Sequence, residues 1–287
     1  MFISVDIGGT KIAIGEVSRG RVVRKIKVNT TKNKKAVWKS VVKAIAKIQG
    51  NRKIERIGMA IAGSIDHTRG VIVYSPNMRF LDNWPIAREL KKYFNCEVVI
   101  DNDVNCMGLG ESLFWKCDNL IVLALGTGVG GGVVIDGKIY RGQGFGAELG
   151  HIVIDYHGLK CSCGNHGCLE EYVSGRGIRR LGRAYLKRTI DPLGIQHLAE
   201  KGDRNALKVY QTVGRYLGVA IASYVNIFNP ELIVVSGSIR KASHLFIKDT
   251  LTEVRKRAFK TNLSRTKIVV SKIGGDAALV GAVSLSA

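Results

Sequence analysis

The strongest constraint on this chain is a pattern it carries twice. An apolar strand runs into a Gly-Thr turn, leaves as a second strand and turns again at a glycine. A shift of 117 residues lays one copy on the other: Gly9-Thr10 falls on Gly126-Thr127, Gly15 on Gly132, Gly20 on Gly137 and Val22 on Ile139. Isolated glycine matches are expected in a chain with 34 glycines, so it is the shared phase that marks a duplicated hairpin. Two similar domains facing each other follow from it. Around the hairpins, apolar β-branched runs at 2–5, 22–28, 57–61 and 98–100 alternate with helical patterns from about Ala36 and Pro85. That alternation is the pattern of an α/β fold.

The rest of the chain keeps the alternation. Residues 206–227 carry Leu207, Val213, Leu217, Ala220, Ile221 and Val225 at helical intervals, which predicts a packed core helix. A strand at 232–235, the turn Ser236-Gly237-Ser238, a helix near 244–258, a strand at 268–270 and an apolar helix from Asp276 complete the pattern. No low-complexity linker interrupts it, so the domains are expected to meet at a crossing near Asp103.

Charge and apolar run length narrow the function. No apolar stretch approaches the roughly 18 residues a membrane helix needs, and Asp6 behind a short apolar run does not fit a secretory signal. A cytoplasmic protein is expected. Forty-four Lys plus Arg against 23 Asp plus Glu give a formal +21, which raises nucleic acid or another polyanion as a partner. Residues 25–56 hold eleven of the basic residues and one acid, and Lys35, Lys39, Lys43 and Lys47 recur every fourth position. On a helix these make a solvated outer face opposite Val37, Val41, Val42, Ala44, Ile45 and Ile48.

The two turns carry chemistry of their own. In Asp6-Ile7-Gly8-Gly9-Thr10-Lys11 the glycines let backbone N–H groups approach phosphate oxygens, while Thr10 and Lys11 add a hydroxyl and a cation. Asp6 could reach a phosphate-bound Mg²⁺ through water. A plain hairpin would also use these glycines. The second turn, Gly126-Thr127-Gly128, opens a run with five glycines in seven positions, which argues for close approach to a ligand. Two such turns could grip one nucleoside triphosphate; neither is a Walker A loop.

His151, Cys161, Cys163 and Cys168 form His-x9-Cys-x-Cys-x4-Cys, enough for one closed tetrahedral zinc site that stiffens a loop. Cys96, Cys106 and Cys117 read as buried small hydrophobes. Glu148, Glu170, Asn102 and Asp103 are carboxylates and amides of the kind a polyhydroxylated ligand needs. Asp103 alone reads equally well as the N-cap of a helix starting at Val104.

These residues, with Ala62-Gly63-Ser64-Ile65-Asp66, Ser75-Pro76-Asn77, Asn102-Asp103-Val104-Asn105, Glu148-Leu149-Gly150-His151, Gly167-Cys168-Leu169-Glu170, Asp276-Ala277 and Gly281-Ala282, resemble in this order the ROK family of sugar kinases and sugar-responsive repressors. The family lies in the actin-like ATPase superfamily. The resemblance implies two actin-like, ribonuclease H-like domains with a catalytic cleft between them. The first would span residues 1–103, joined by the C-terminal helix 276–287; the second would span 104–275 and carry the zinc loop at 151–168. It implies an ATP-dependent sugar kinase in which Asp103 is the general base for a hexose hydroxyl, with C6 of glucose the leading case. N-acetylmannosamine or another aminosugar is the alternative substrate. Gly63, Asn77, Asn102, Asp103, Glu148, His151 and Glu170 would contact the sugar. Asp6, Gly8, Gly9, Thr10, Lys11, Gly126, Thr127, Gly128 and Gly237 would hold ATP and its Mg²⁺, and His151 would also ligate the structural zinc. A homodimer is implied as well. Repressors of the family place a helix-turn-helix ahead of the first turn, and here five residues precede Asp6, so neither that role nor a nucleic-acid partner is expected. The single glycine of Ser236-Gly237-Ser238 departs from the paired glycines common beside the nucleoside. Residues 78–84 leave the preferred sugar open.

Overall fold

The computed structural model describes residues 1–286 and groups them into two compact units. Unit 1 combines Met1–Asn119, Gly132–Ala147 and the chain from Gly275; unit 2 combines Leu120–Gly131 and Glu148–Gly274. In chain order unit 1 opens with β1 (Phe2–Ile7), β2 (Lys11–Ser18), β3 (Arg21–Asn29), α1 (Lys34–Gln49), β4 (Arg56–Ile61), β5 (Ser64–Asp66), β6 (Val71–Tyr74), α2 (Ile86–Phe94), β7 (Glu97–Asn102) and α3 (Asp103–Trp115). There follow β8 (Leu120–Leu125), β9 (Val129–Ile135), β10 (Lys138–Ile139), α4 (Glu170–Val173), α5 (Gly175–Leu186), α6 (Pro192–Glu200) and α7 (Arg204–Phe228). The last elements are β11 (Leu232–Ser236), α8 (Ile247–Arg257), α9 (Lys260–Leu263), β12 (Lys267–Val270) and α10 (Asp276–Val283).

The duplicated hairpin becomes a duplicated sheet. One runs β3-β2-β1-β4-β7 and the other β10-β9-β8-β11-β12, so each copy supplies the antiparallel strands and two parallel strands follow. In unit 1 the register pairs Phe2 with Val17 antiparallel and with Arg56 parallel; in unit 2 Leu232 pairs in parallel with both Leu120 and Lys267. The inner parallel strands β4 and β11 are apolar over most of their length, as burial on both faces requires: Ile57, Met59, Ile61, Ile233, Val234 and Val235 are all fully buried.

In unit 1, α1 starts where the Asn33 side chain accepts the Ala36 N–H and turns Val37, Val41, Ala44, Ile45 and Ile48 inward against Ile3, Val5, Ile12 and Ile14. Lys35, Lys39, Lys43 and Lys47 are all exposed, as their spacing predicts. Pro85 caps α2 from just outside its first turn.

The units do not divide after Asp103. Helix α3 belongs to unit 1, where it packs on α10. A Cβ on Gly110 would lie 2.0 Å from the Ala277 carbonyl oxygen, and one on Gly281 would lie 1.8 Å from that of Cys106. Two hydrogen side chains therefore bring the helix backbones together, over a core of Ala60, Cys106, Leu109, Ala278 and Ala282. Strand β9 starts in unit 2 and ends in unit 1, and Gly132–Ala147 returns the chain to unit 1 before Glu148. In unit 2 the 25-residue α7 starts at the Asp203 cap and buries Val213, Leu217, Ile221 and Val225; the capping and the apolar period agree. Among the described residues no helix is long and apolar enough to cross a membrane.

Candidate functional site

In unit 1 the first glycine turn closes by Gly8 N–H donating to the Lys11 carbonyl at 3.1 Å, and the Thr30 hydroxyl donates to the Gly8 carbonyl at 2.7 Å. Gly9, Thr10 and Lys11 remain exposed, so the turn's hydroxyl and cation face solvent. Asn77 lies against this turn, since a Cβ on Gly9 would come within 3.2 Å of its own Cβ. Gly63 has φ +143°, and a Cβ there would meet the Tyr74 carbonyl oxygen at 2.4 Å, so the position takes only glycine. Its neighbourhood is fixed by the Ser75 hydroxyl donating to the Ala62 carbonyl at 2.7 Å and the Asn102 amide donating to the Gly63 carbonyl at 3.0 Å.

The end of β7 answers the question of the cap. Asn102, not Asp103, caps α3: its Oδ1 accepts the Val104 N–H at 2.8 Å and the Asn105 N–H at 3.1 Å. Asp103 is the first helical residue, partly buried, and its charge is felt by Asp6 across the unit. Burial, then the Asp103 charge, push the Asp6 carboxyl up to about 7, while Lys27 pulls it down. The register explains Lys27: Asp6 pairs with Ala13 and Ala13 with Lys27, so one cross-strand row runs carboxylate, methyl, ammonium. Sequence reasoning missed Lys27, though the hairpin register would have found it. Unit 1 thus brings together Asp6, Gly8, Gly9, Thr10, Lys11, Gly63, Asn77, Asn102 and Asp103. A carboxylate pair beside an open glycine turn favours a cation and phosphate oxygens, and this is the donor set that an Mg²⁺ carried by a nucleotide would use through water at Asp6.

Unit 2 builds the second turn differently. Gly126 N–H donates to the Gly128 carbonyl at 2.9 Å, and Gly175 N–H, at the start of α5, donates to the Gly126 carbonyl at 2.8 Å. Thr127 is exposed. Gly237, at φ +80°, lies so close to the end of β8 that a Cβ would sit 2.2 Å from the Leu125 carbonyl oxygen. The single glycine of this loop thus has a packing reason.

Glu170 is buried beneath the turn, accepting the Val129 N–H at 2.8 Å, and a Cβ on Gly128 would reach its Oε2 at 2.3 Å. Its other oxygen pairs with Arg176. Both oxygens of this expected sugar ligand are engaged within the protein, and Arg176, which sequence reasoning did not single out, holds one of them. Glu148 is exposed and begins the short 3-10 turn that ends at His151; the Leu149 carbonyl there accepts from the Tyr224 hydroxyl at 2.5 Å.

His151, Cys161, Cys163 and Cys168 converge, with one donor atom from each lying within 4.8 Å of all the others. Cys161 Sγ is 3.6 Å from His151 Nδ1, and the sulfurs of Cys163 and Cys168 are 3.7 Å apart. A tetrahedral Zn²⁺ with bonds near 2.3 Å sets its ligands about 3.7 Å apart. The donor set fits that ion. Burial and the neighbouring thiols push the Cys168 thiol up, so a cation is what would let the three sulfurs share the space as thiolates. None of the six cysteines is in a disulfide, and Cys106 and Cys117 are buried as expected.

The profile described as the ROK family matches residues 2–287. A glucokinase from Thermotoga maritima is 34% identical over 99% of this chain and 96% of its own. The crystal structure of a ROK family glucokinase from Streptomyces griseus, in complex with glucose and AMPPNP, is 30% identical with a TM-score of 0.84, covering 99% of this chain and 98% of that one. A xylose repressor from Caldicellulosiruptor bescii is 32% identical over 87% of this chain but 66% of its own.

Proposed function

Because the chain belongs to the ROK family and is a hexose kinase, we propose that Asp103 takes the proton of a hexose hydroxyl, at C6 of glucose, as that oxygen attacks the γ-phosphorus of ATP. The O–H proton goes to the Asp103 carboxylate, the sugar O–P bond forms, and the bond from γ-phosphorus to the bridging oxygen breaks to release ADP. The observation that carries this reading is the set around Asp103. The carboxylate begins α3 on a backbone pinned by the Asn102 cap, in the unit that also holds the open Gly8-Gly9-Thr10 turn and the Asn77 side chain against it.

Phosphoryl transfer asks mainly for positioning and charge neutralisation. Gly8, Gly9, Thr10 and Lys11, with Gly126, Thr127 and Gly128, would hold the phosphates, and Gly237 would border the nucleoside. Asp6 would hold through water the Mg²⁺ that neutralises phosphate charge. Gly63, Asn77, Asn102, Glu148, His151 and Glu170 would bind the sugar; for Asn102 and Glu170 the unit geometry leaves fewer free lone pairs and N–H groups than the resemblance implies, which favours a shaping role. His151, Cys161, Cys163 and Cys168 would hold a structural Zn²⁺ that stiffens 151–168.

Coupled ADP release against a panel of hexoses and N-acetylhexosamines tests the reading. Glucose is expected to give the highest kcat/KM, and Asp103→Asn to lower kcat by about a thousandfold or more with sugar KM little changed. Near-normal turnover in that variant discards the base. A preference for N-acetylmannosamine moves the substrate and leaves the chemistry. The likeness to a xylose repressor supports a second reading, a sugar-responsive regulator; it would show as sugar-dependent DNA retention with no ADP released.

A further inference from the structure

Arg141 lies outside any strand or helix, two residues beyond β10, yet it reaches the end of β7. Its Nε donates to Asp101 Oδ2 at 2.7 Å, and a terminal guanidinium nitrogen forms an ion pair with the same oxygen at 2.6 Å. The Asp101 side chain is 3% exposed and that of Arg141 20%, so this is a desolvated pair rather than a surface contact. The second Asp101 oxygen accepts the Asn102 backbone N–H at 2.7 Å and the Asn105 side-chain amide at 2.9 Å. Asn102 in turn caps α3 and holds the Gly63 carbonyl. The residues on both sides of Asp103 are therefore tied to one carboxylate, and that carboxylate is held by one arginine. Behind Arg141 its own carbonyl accepts the N–H groups of Gly144 and Gly146, each at 2.8 Å, which folds 141–146 into a compact turn just before Glu148.

We infer that Arg141 is a positioning residue for the phosphoryl transfer: its pair with Asp101 sets the backbone of Asn102 and the first turn of α3, and so the aim of the Asp103 carboxylate. The inference rests on the reading of Asp103 as the base. A guanidinium fork meeting a carboxylate is directional in a way an ammonium is not, so lysine should replace it poorly. Arg141 also lines a cavity of ≈ 520 Å³ with His67, Thr68, Lys91 and Ser286, which gives a small cation access to the place its side chain would leave.

The test is kinetic, with glucose and ATP. Arg141→Ala should lower kcat by about 10- to 100-fold while sugar KM moves less than about threefold. Millimolar guanidinium chloride should restore at least about fivefold of that loss, and Arg141→Lys should fall between Arg141→Ala and the native enzyme. In an Asp103→Asn background, Arg141→Ala should cost less than about twofold more, because a residue acting through the base loses its effect when the base is gone. A kcat within twofold of native, a loss that persists in full without the base, or a rise in KM equal to the fall in kcat with no guanidinium effect overturns the inference. Should Arg141→Ala fail to fold by circular dichroism, the neutral pair Asp101→Asn with Arg141→Gln takes its place, with the same split between kcat and KM expected and the same outcomes decisive. Asp103→Asn measured alone keeps the two readings apart: turnover surviving there refutes the base, whereas turnover lost there but kept in Arg141→Ala refutes only the positioning.

Discussion

Asp6 is partly buried at the end of β1, and its carboxyl titrates near 7 because burial and the Asp103 charge disfavour the ionised form more than Lys27 favours it. The folded pKa is above the unfolded one, 3.8, so the contribution of Asp6 is fully present below about pH 4 and is lost as pH rises through 7. In nucleotide-free protein, Asp6→Asn is expected to match the native Tm at pH 4 and to exceed it by about 5 °C or more at pH 8, measured by differential scanning. Equal Tm values at pH 8 would mean that Asp6 ionises freely. The same substitution should weaken MgATP binding, since a neutral amide no longer attracts the cation. Asp6, Asp103 and the glycine turns were legible as short motifs because their chemistry is local to the chain. Arg141, Arg176 and Lys27 were not, because an arginine or lysine acquires its meaning from a carboxylate 40, 6 or 21 residues away, and only pairing geometry selects it from forty-four candidates.

At the scale of elements, the cysteine loop at 151–168 and helix α10 give sharper tests. Replacing Cys161 or Cys163 with Ser should release one equivalent of zinc by metal analysis and raise sugar KM by about tenfold or more, because His151 would lose the ligand set that fixes its ring. Native protein free of zinc would contradict the site. Gly281→Val drives a branched side chain into the Cys106 carbonyl and should cost about 3 kcal/mol or more by urea unfolding, whereas Gly164→Ala, in open space, is strained only by its φ of +98°. Strands, hairpins and helices α1 and α7 were legible because their apolar periods are one-sided. The crossing near Asp103 was misplaced for the opposite reason: α3 is buried at Val104, Cys106, Leu109, Gly110 and Ser112, on nearly every face, and a helix apolar all round does not say what it packs on. The short hairpin of β5 and β6 escaped notice because three and four residues are too few for a period to emerge.

For the whole molecule, the +21 charge is the property the kinase reading does not need. Lys35, Lys39, Lys43 and Lys47 all stand exposed on α1, and no carboxylate lies within ion-pair distance of them among the described residues. Reversing all four to Glu is expected to shift elution from heparin to lower salt and to leave kcat unchanged; an accompanying loss of turnover would tie the stripe to catalysis. At physiological salt the native protein should show no retention of duplex DNA in a mobility shift assay.

Helix α10 is the last element in sequence and yet it packs against α3, more than 150 positions earlier, with all of Glu148–Gly274 in between. The seam between α3 and α10 is therefore closed only once all of Glu148–Gly274 has been made, which gives unit 1 contacts of long sequence separation.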